Sequence, residues 1–302
     1  MTLDDFDRAC KRTGEYLLMF DDILIPTDGS DCAQAAVDYA KDLATRYGAT
    51  VHALCVVDPR TLEHGPHYDQ ETEKYTNIAE DTCDDLSAAD LSAKPAVLTD
   101  LPHKAILQYV TKHDIDLIVM GTHGRTGLDR YLLGSVTEKV VRLSDVPVLT
   151  VRDEDDEVTY PYTDILVPTD GSKGAGAAIG PAVDVASKYD ARVHALSVIE
   201  PMALGVDVRS AAILDSLEKA AQDAVETVEE RATQASISGV ETAIEHGSPY
   251  RAIRSYVDEH DIDLVVMGTH GRSGIERYLL GSVTEKTVRT SPVPVMTVRQ
   301  PE

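Results

Sequence analysis

The sequence predicts an α/β protein built as two tandem doubly wound domains, each a five-stranded parallel sheet with helices on both faces. Three observations lead there. Short β-branched apolar runs alternate with helix-length amphipathic stretches, the pattern of βαβ units. The whole pattern occurs twice along the chain. Hydrophobic residues are 43% of the 302, enough for two ordinary cores, and no unbroken apolar run reaches the roughly 18 residues of a membrane span.

The repeat is explicit. Residues 114–152 read DIDLIVMGTHGRTGLDRYLLGSVTEKVVRLSDVPVLTVR and residues 261–299 read DIDLVVMGTHGRSGIERYLLGSVTEKTVRTSPVPVMTVR, 31 of 39 positions being identical. DILIPTDGS at 22–30 pairs with DILVPTDGS at 164–172, and VHALCVVDP at 51–59 with VHALSVIEP at 193–201. The unit is one domain of about 140 residues, present twice: 19–152 and 162–302. The charged run 153–161 between them reads as a solvated linker. Residues 1–18 have no counterpart in the second copy and form an extension, with Met19 a possible alternative start.

In the first copy, strands are expected near 22–27, 50–57, 94–98, 115–120 and 147–151. Helices are expected near 31–47, 68–92, 102–113 and 135–144, with Gly48 placed to end the first. The second copy repeats the plan, with strands near 164–169, 192–199, 240–245, 262–267 and 294–298, and 207–237 as its second helix. Right-handed crossovers then put helices on both faces. Pro147 and Pro294 open the last strand of each copy, as an edge strand tolerates.

Asp and Glu total 52 against 28 Lys and Arg, a net charge of −24. Such a field repels phosphates, which excludes nucleic acid and anionic membranes as partners. The excess is even, with 26 acids and 15 bases in 1–152 and 26 and 13 in 153–302, so it is no acidic tail. An evenly acidic surface with 11 Lys to 17 Arg suits molar salt, and a halophilic source is expected. The N-terminus is acidic where a signal peptide would be basic, so a cytoplasmic protein is expected. Cys10, Cys32, Cys55 and Cys83 show no CxxC spacing and read as reduced thiols used as small residues.

Two loops could carry chemistry. Pro26-Thr27-Asp28-Gly29-Ser30 follows the first strand directly, and Pro168-Thr169-Asp170-Gly171-Ser172 mirrors it. Strand carboxyl ends are where open α/β sheets bind ligands, yet Asp28 and Ser30 read equally as turn and cap residues. The second loop is Gly121-Thr122-His123-Gly124, nine residues, then Gly134-Ser135, repeated as Gly268, Gly271 and Gly281-Ser282. Its first glycines let backbone approach a ligand, and Gly134 and Ser135 offer N–H groups at a helix start. Against this, Ser135-x-x-Glu138 and Ser282-x-x-Glu285 have capping-box spacing and would satisfy those donors internally. The spacing fits neither the P-loop nor the dinucleotide fingerprint.

These motifs resemble the ATP-binding branch of the universal stress protein family, in tandem form, over 20–152 and 162–299. The resemblance implies a five-stranded parallel fold with ATP held between the first and fourth strand ends. It implies that Pro26, Thr27 and Asp28 line the nucleotide and that Val56 flanks the adenine. Met120, Gly121, Gly124, Arg125, Gly134, Ser135, Val136 and Thr137 would wrap the ribose and phosphates. The second copy's matches are Pro168, Thr169, Asp170, Val198, Met267, Gly268, Gly271, Arg272, Gly281, Ser282, Val283 and Thr284. Asp28 or Asp170 beside a triphosphate would be repulsive without a cation between them, so Mg²⁺ is implied. Arg125 and Arg272 could pair with phosphate oxygens or with neighbouring acids. One departure stands out: Gly247-Ser248-Pro249 occupies the place of Asp100-Leu101-Pro102.

The expected function is an ATP-binding regulatory protein of the stress response with two nucleotide sites and little or no turnover. The alternative is a slow ATPase or phosphotransferase, for which His123 and His270 would be the only loop histidines. Like apolar last strands, VPVLTV at 146–151 and VPVMTV at 293–298, suggest that the copies pair as an internal pseudo-dimer, with further homo-oligomers open. The signal and any protein partner are not encoded in a readable motif.

Overall fold

The computed structural model describes residues 20–60, 66–124, 133–152, 160–200, 211–271 and 280–300. The N-terminal extension, Arg125, Arg272 and all but the last two residues of the expected linker lie outside them. The chain divides into two compact units at residues 158 and 159.

The first unit runs β1 (Asp22–Pro26), α1 (Asp31–Tyr47), β2 (Thr50–Val57), α2 (Pro66–Ala88), β3 (Ala93–Thr99), α3 (Pro102–Lys112), β4 (Leu117–Gly121), α4 (Ser135–Leu143) and β5 (Val148–Val151). Its strands lie in the order β3-β2-β1-β4-β5, all parallel. The order reverses between β1 and β4, so right-handed crossovers put α1 and α2 on one face and α3 and α4 on the other. A Lys41–Asp85 ion pair joins the first two helices, and α3 packs on α4. With both faces covered, the inner strands need apolar residues at every position rather than alternately. Ile23, Leu24, Ile25, Leu117, Ile118 and Val119 are accordingly all buried.

Local rules explain α1. Ser30 caps it by accepting from the Ala33 N–H at 3.3 Å. Ala33, Ala36, Val37, Ala40, Leu43 and Ala44 form one buried stripe at helical spacing. Gly48 then ends the helix in the left-handed region, φ 70°, its N–H bonding the Ala44 carbonyl.

The second unit repeats the plan: β6 (Asp164–Pro168), α5 (Lys173–Gly176), α6 (Ile179–Tyr189), β7 (Arg192–Ile199), α7 (Ala211–Gln234), β8 (Val240–His246), α8 (Pro249–Glu259), β9 (Leu264–Gly268), α9 (Ser282–Thr290) and β10 (Val295–Val298). The parallel order is β10-β9-β6-β7-β8. One difference is visible: the counterpart of α1 is split into α5 and α6. Pro181 has no N–H for the Ala177 carbonyl, and Gly174, Gly176 and Gly180 weaken the helix around it. The Ala178 N–H bonds Ala175, three residues back, marking a tightened turn at the break.

Cys32, Cys55 and Cys83 are buried, as expected of small core residues. No helix among the described residues is long and apolar enough to cross a membrane.

Candidate functional site

Because strand order reverses between β1 and β4, the loops leaving their carboxyl ends diverge to opposite faces and leave a crevice. The structure brings the two motif loops together there. Thr27 extends β1 by donating its N–H to the Leu54 carbonyl at 2.9 Å, and its hydroxyl accepts from the Gly29 N–H at 3.1 Å. Asp28 Oδ1 accepts from the Ser30 N–H at 3.0 Å, and Gly29 takes a left-handed φ of 72°. The turn-and-cap reading of Asp28 and Ser30 therefore holds, and it aims the other carboxylate oxygen across the crevice. A Cβ placed on Gly124 would lie 2.5 Å from Asp28 Oδ2. Gly271 meets Asp170 Oδ2 at the same 2.5 Å.

The glycine loop is tied down by its own threonines. Thr122 donates its N–H to the Val151 carbonyl at 2.8 Å, continuing the sheet. The Thr137 hydroxyl donates to the Gly121 carbonyl at 2.9 Å, pinning the first turn of α4 to the end of β4. Thr284 does the same to Gly268 at 2.8 Å. Both threonines are buried, as are Met120 and Met267. Val56 and Val198 are half-buried near the carboxyl ends of β2 and β7.

Three expectations are corrected. The capping boxes do not form: Gly134 and Gly281, which have no side chain to offer, are the N-caps, and Ser135 and Ser282 are already helical. Gly134 and Gly281 also do not present their N–H groups, which are donated to the Thr122 and Thr269 carbonyls at 2.8 and 2.9 Å. The first intrahelical bond is Glu138 to Gly134 at 2.9 Å, so the N–H groups ahead of it, from Ser135 to Thr137, have no intrahelical carbonyl to bond. Finally, the space on the Cβ side of Gly121 is taken by protein: its Cβ would sit 2.9 Å from the Cys32 carbonyl and 2.8 Å from its Sγ. Gly268 is tighter still, 2.2 Å from the Gly174 carbonyl.

His123 and His270 begin the turn beside the N-caps, and Gly134 and Gly281 would place a Cβ 3.3 and 3.7 Å from their Cα atoms. Each ring is held through Nδ1 by the preceding threonine hydroxyl, at 3.2 Å for His123 and 2.9 Å for His270. Among the described residues, His270 Nε2 is buried without a hydrogen-bond partner. Asp100, the departure noted in the first copy, turns one carboxylate oxygen onto the Leu101 N–H at 2.6 Å. Gly247 in its place has a φ of 130°, which an aspartate would not readily adopt.

At the opposite end of the strands lies a cluster that the sequence reading used only as a strand marker. His52 Nε2 meets Asp22 Oδ1 at 2.8 Å and its Nδ1 meets the Tyr109 hydroxyl at 2.9 Å. His194, Asp164 and Tyr256 repeat this at 2.8 and 3.1 Å. The recurrence of all three residue types at matching repeat positions was the available signal. Among the described residues, no group of three or more His, Cys, Asp or Glu could hold a metal by itself.

Comparison with known proteins places this architecture. The model of the universal stress protein family matches residues 19–152 and again 161–299. Universal stress protein MJ0531 of Methanocaldococcus jannaschii is 32% identical over 144 residues, 47% of this chain and 84% of that protein. MJ0577 of the same organism is 30% identical over 156 residues, 45% of this chain and 96% of its own length. The crystal structure of a universal stress protein from Archaeoglobus fulgidus superimposes with a TM-score of 0.72 at 27% identity, covering 93% of this chain and 99% of that one.

Proposed function

The chain belongs to the universal stress protein family, and from that premise we propose that it is an ATP-binding regulatory protein of the stress response with one nucleotide site per copy. The observation that carries this is the junction of the two loops: Asp28 meets Gly124 beside a helix N-terminus whose N-cap is a glycine, and Asp170 meets Gly271 likewise. First-turn N–H groups suit phosphate oxygens. The unpartnered His270 Nε2 is a further polar atom that a ligand could satisfy.

In this reading Pro26, Thr27 and Val56 border the base and ribose, and Ser135, Val136 and Thr137 receive phosphate, with Arg125 reaching the same oxygens. Pro168, Thr169, Val198, Ser282, Val283, Thr284 and Arg272 act alike in the second copy. Each site offers one loop aspartate, so a Mg²⁺ ion would be held by Asp28 or Asp170 together with phosphates and water, as that ion commonly is. Bound there, the ion would neutralise the charge of the polyphosphate. The chain's own residues bind and orient; the loop histidines are engaged by threonine hydroxyls. Turnover is therefore expected to be slow or absent.

A cytoplasmic, halophilic setting, the domain limits 19–152 and 162–302, and pairing of the two copies as a pseudo-dimer belong to the same reading. Calorimetric titration with ATP and Mg²⁺ in molar salt should give two nucleotides per chain, with little phosphate released over hours. No binding, or brisk phosphate release, would overturn it.

A further inference from the structure

The buried histidine clusters are alike at their centres and opposite in charge at their rims. In both, an aspartate on the first strand holds the histidine's Nε2 and a helix tyrosine holds its Nδ1. A second histidine stacks on that tyrosine: His113 on Tyr109 with centroids 4.0 Å apart, His260 on Tyr256 at 3.8 Å. The register then places Lys94 of β3 directly beside His52, but Glu241 of β8 directly beside His194. Likewise Thr50 sits opposite Asp22, where Arg192 sits opposite Asp164.

The groups facing each histidine can be named from every element. Around His52 they are Asp22 of β1, Lys94 of β3, and Tyr109 and His113 of α3 and its C-cap. Cys83 of α2 faces Tyr109 and, its thiol pushed up by burial, stays neutral. Around His194 they are Asp164 of β6, Arg192 of β7, Glu241 of β8, and Tyr256 and His260 of α8 and its C-cap. Glu245 of β8 faces Tyr256. The first cluster's fixed charges are one aspartate and one lysine, 3.9 Å apart. The second has two carboxylates against one arginine, with Glu241 only 3.8 Å from His194 Nδ1. A proton on His52 adds a net buried positive charge beside Lys94, whereas one on His194 cancels a surplus negative charge.

We propose that the His52 cluster is an acid-sensitive latch, releasing α3 from the sheet of the first unit as the pH falls below neutrality, while the His194 cluster keeps α8 closed. Tyr109 is the point of action: with Nε2 donating to the Asp22 carboxylate, Nδ1 accepts from the Tyr109 hydroxyl and ties α3 to β2, and a proton gained there forces that hydroxyl to turn from donor to acceptor. The direction agrees with the titration of His52. Burial, opposed by the Asp22 hydrogen bond and reinforced by Lys94 and His113, holds it below the ordinary histidine value. The folded unit thus prefers neutral His52, and stability falls as the pH drops through the unfolded-state value of about 6.5. Asp164 shows the converse: hydrogen bonds from Arg192, His194 and Thr163 outweigh its burial and keep its carboxyl below the usual range. Since α3 packs on α4, release would also loosen the first copy's loop site, a step that rests on the nucleotide reading above.

Hydrogen exchange with mass spectrometry on the full chain, at pH 7.5 and 5.5 and corrected for intrinsic rates, tests the latch without any ligand. Peptides from α3 should exchange faster at the lower pH, by at most roughly tenfold, the ceiling set by the distance from the unfolded-state value of about 6.5 to the assay pH, with α8 unchanged. Thr50→Arg with Lys94→Glu gives the first cluster the second's charges and should abolish the response. Arg192→Thr with Glu241→Lys should create it in α8, and this reciprocal variant decides should the first not fold. Equal opening of α3 and α8, no opening of α3, or opening unaffected by the charge exchange would each overturn the proposal. Loss of ATP binding at every pH with the exchange pattern intact would count against the nucleotide reading alone.

Discussion

Gly124→Val separates ligand binding from folding more cleanly than any other loop substitution. The Cβ it introduces would meet Asp28 Oδ2 at 2.5 Å, and the next nearest atoms belong to that same carboxylate. Gly124 does not use the left-handed region, so the new side chain adds no backbone strain. A rotated Asp28 absorbs the clash by giving up its bond to the Ser30 N–H, a folding cost of about 1 kcal/mol. The site loses more. The carboxylate leaves its place and a branched side chain stands where the two loops meet.

Ligand at about 100 times its dissociation constant stabilises its unit by about 2.7 kcal/mol. At about 2–4 °C per kcal/mol for a unit of this size, the ATP-induced rise in melting temperature is roughly 5–11 °C. Gly124→Val should erase that rise in the first unit and leave one nucleotide per chain. Gly271→Val should do the same in the second, and the double variant should bind none. Calorimetric stoichiometry with unit-resolved hydrogen exchange reads all three. Two ATP bound by the double variant at wild-type affinity would refute the glycine-loop site. Gly121→Val would be a poor substitute, because its Cβ would press on the Cys32 backbone carbonyl and confound binding with unfolding.

Three further outcomes follow from the geometry. Gly268→Ala should destabilise more than Gly121→Ala in urea titration, the 2.2 Å approach to a carbonyl exceeding the 2.9 Å one, with overpacking costing about 1–3 kcal/mol. Thr137→Val keeps the side-chain shape but orphans the buried Gly121 carbonyl, and should cost about 1–3 kcal/mol by the same assay. With a net charge of −24, the melting temperature should rise steadily from dilute buffer to molar KCl as screening shortens from about 10 Å to 3 Å; a flat curve would remove the halophilic expectation.

The succession of elements and their types were legible because they rest on periodicity and on the repeat, both properties of the chain read along its length. Expected and observed strand limits differ by about two residues at most, the margin to which element ends are defined at all. The split of the second copy's first helix was also written in Gly174, Gly176, Gly180 and Pro181, but analogy with the first copy hid it. The capping boxes misled for a tertiary reason. Spacing permits Ser135 to cap, yet the bonds from Gly134 to Thr122 and from Thr137 to Gly121 start the helix one residue earlier. Glycine spacing cannot say what comes close, so Cys32 against Gly121 and Asp28 against Gly124 needed coordinates. The histidine clusters needed them most, since Asp22, His52 and Tyr109 meet only through strand pairing and helix docking.

What differs between the copies lies almost entirely in what supports the loops. The loop glycines, threonines and histidines are the same residues in both, and they make the same bonds within about 0.3 Å. Beneath them, Cys32 is replaced by Gly174, which lets α5 close against the His270 carbonyl, and Asp100 is replaced by Gly247. Farther away, Lys94 is replaced by Glu241 and Thr50 by Arg192. Contacts at a loop junction set which ligand chemistry is accepted, whereas packing and charge beneath it set how readily the junction holds its shape. On the nucleotide reading, two sites with one specificity and two thresholds would follow from this arrangement. A duplicated chain of that kind would respond over a wider range of conditions than two identical copies, without either site changing what it recognises.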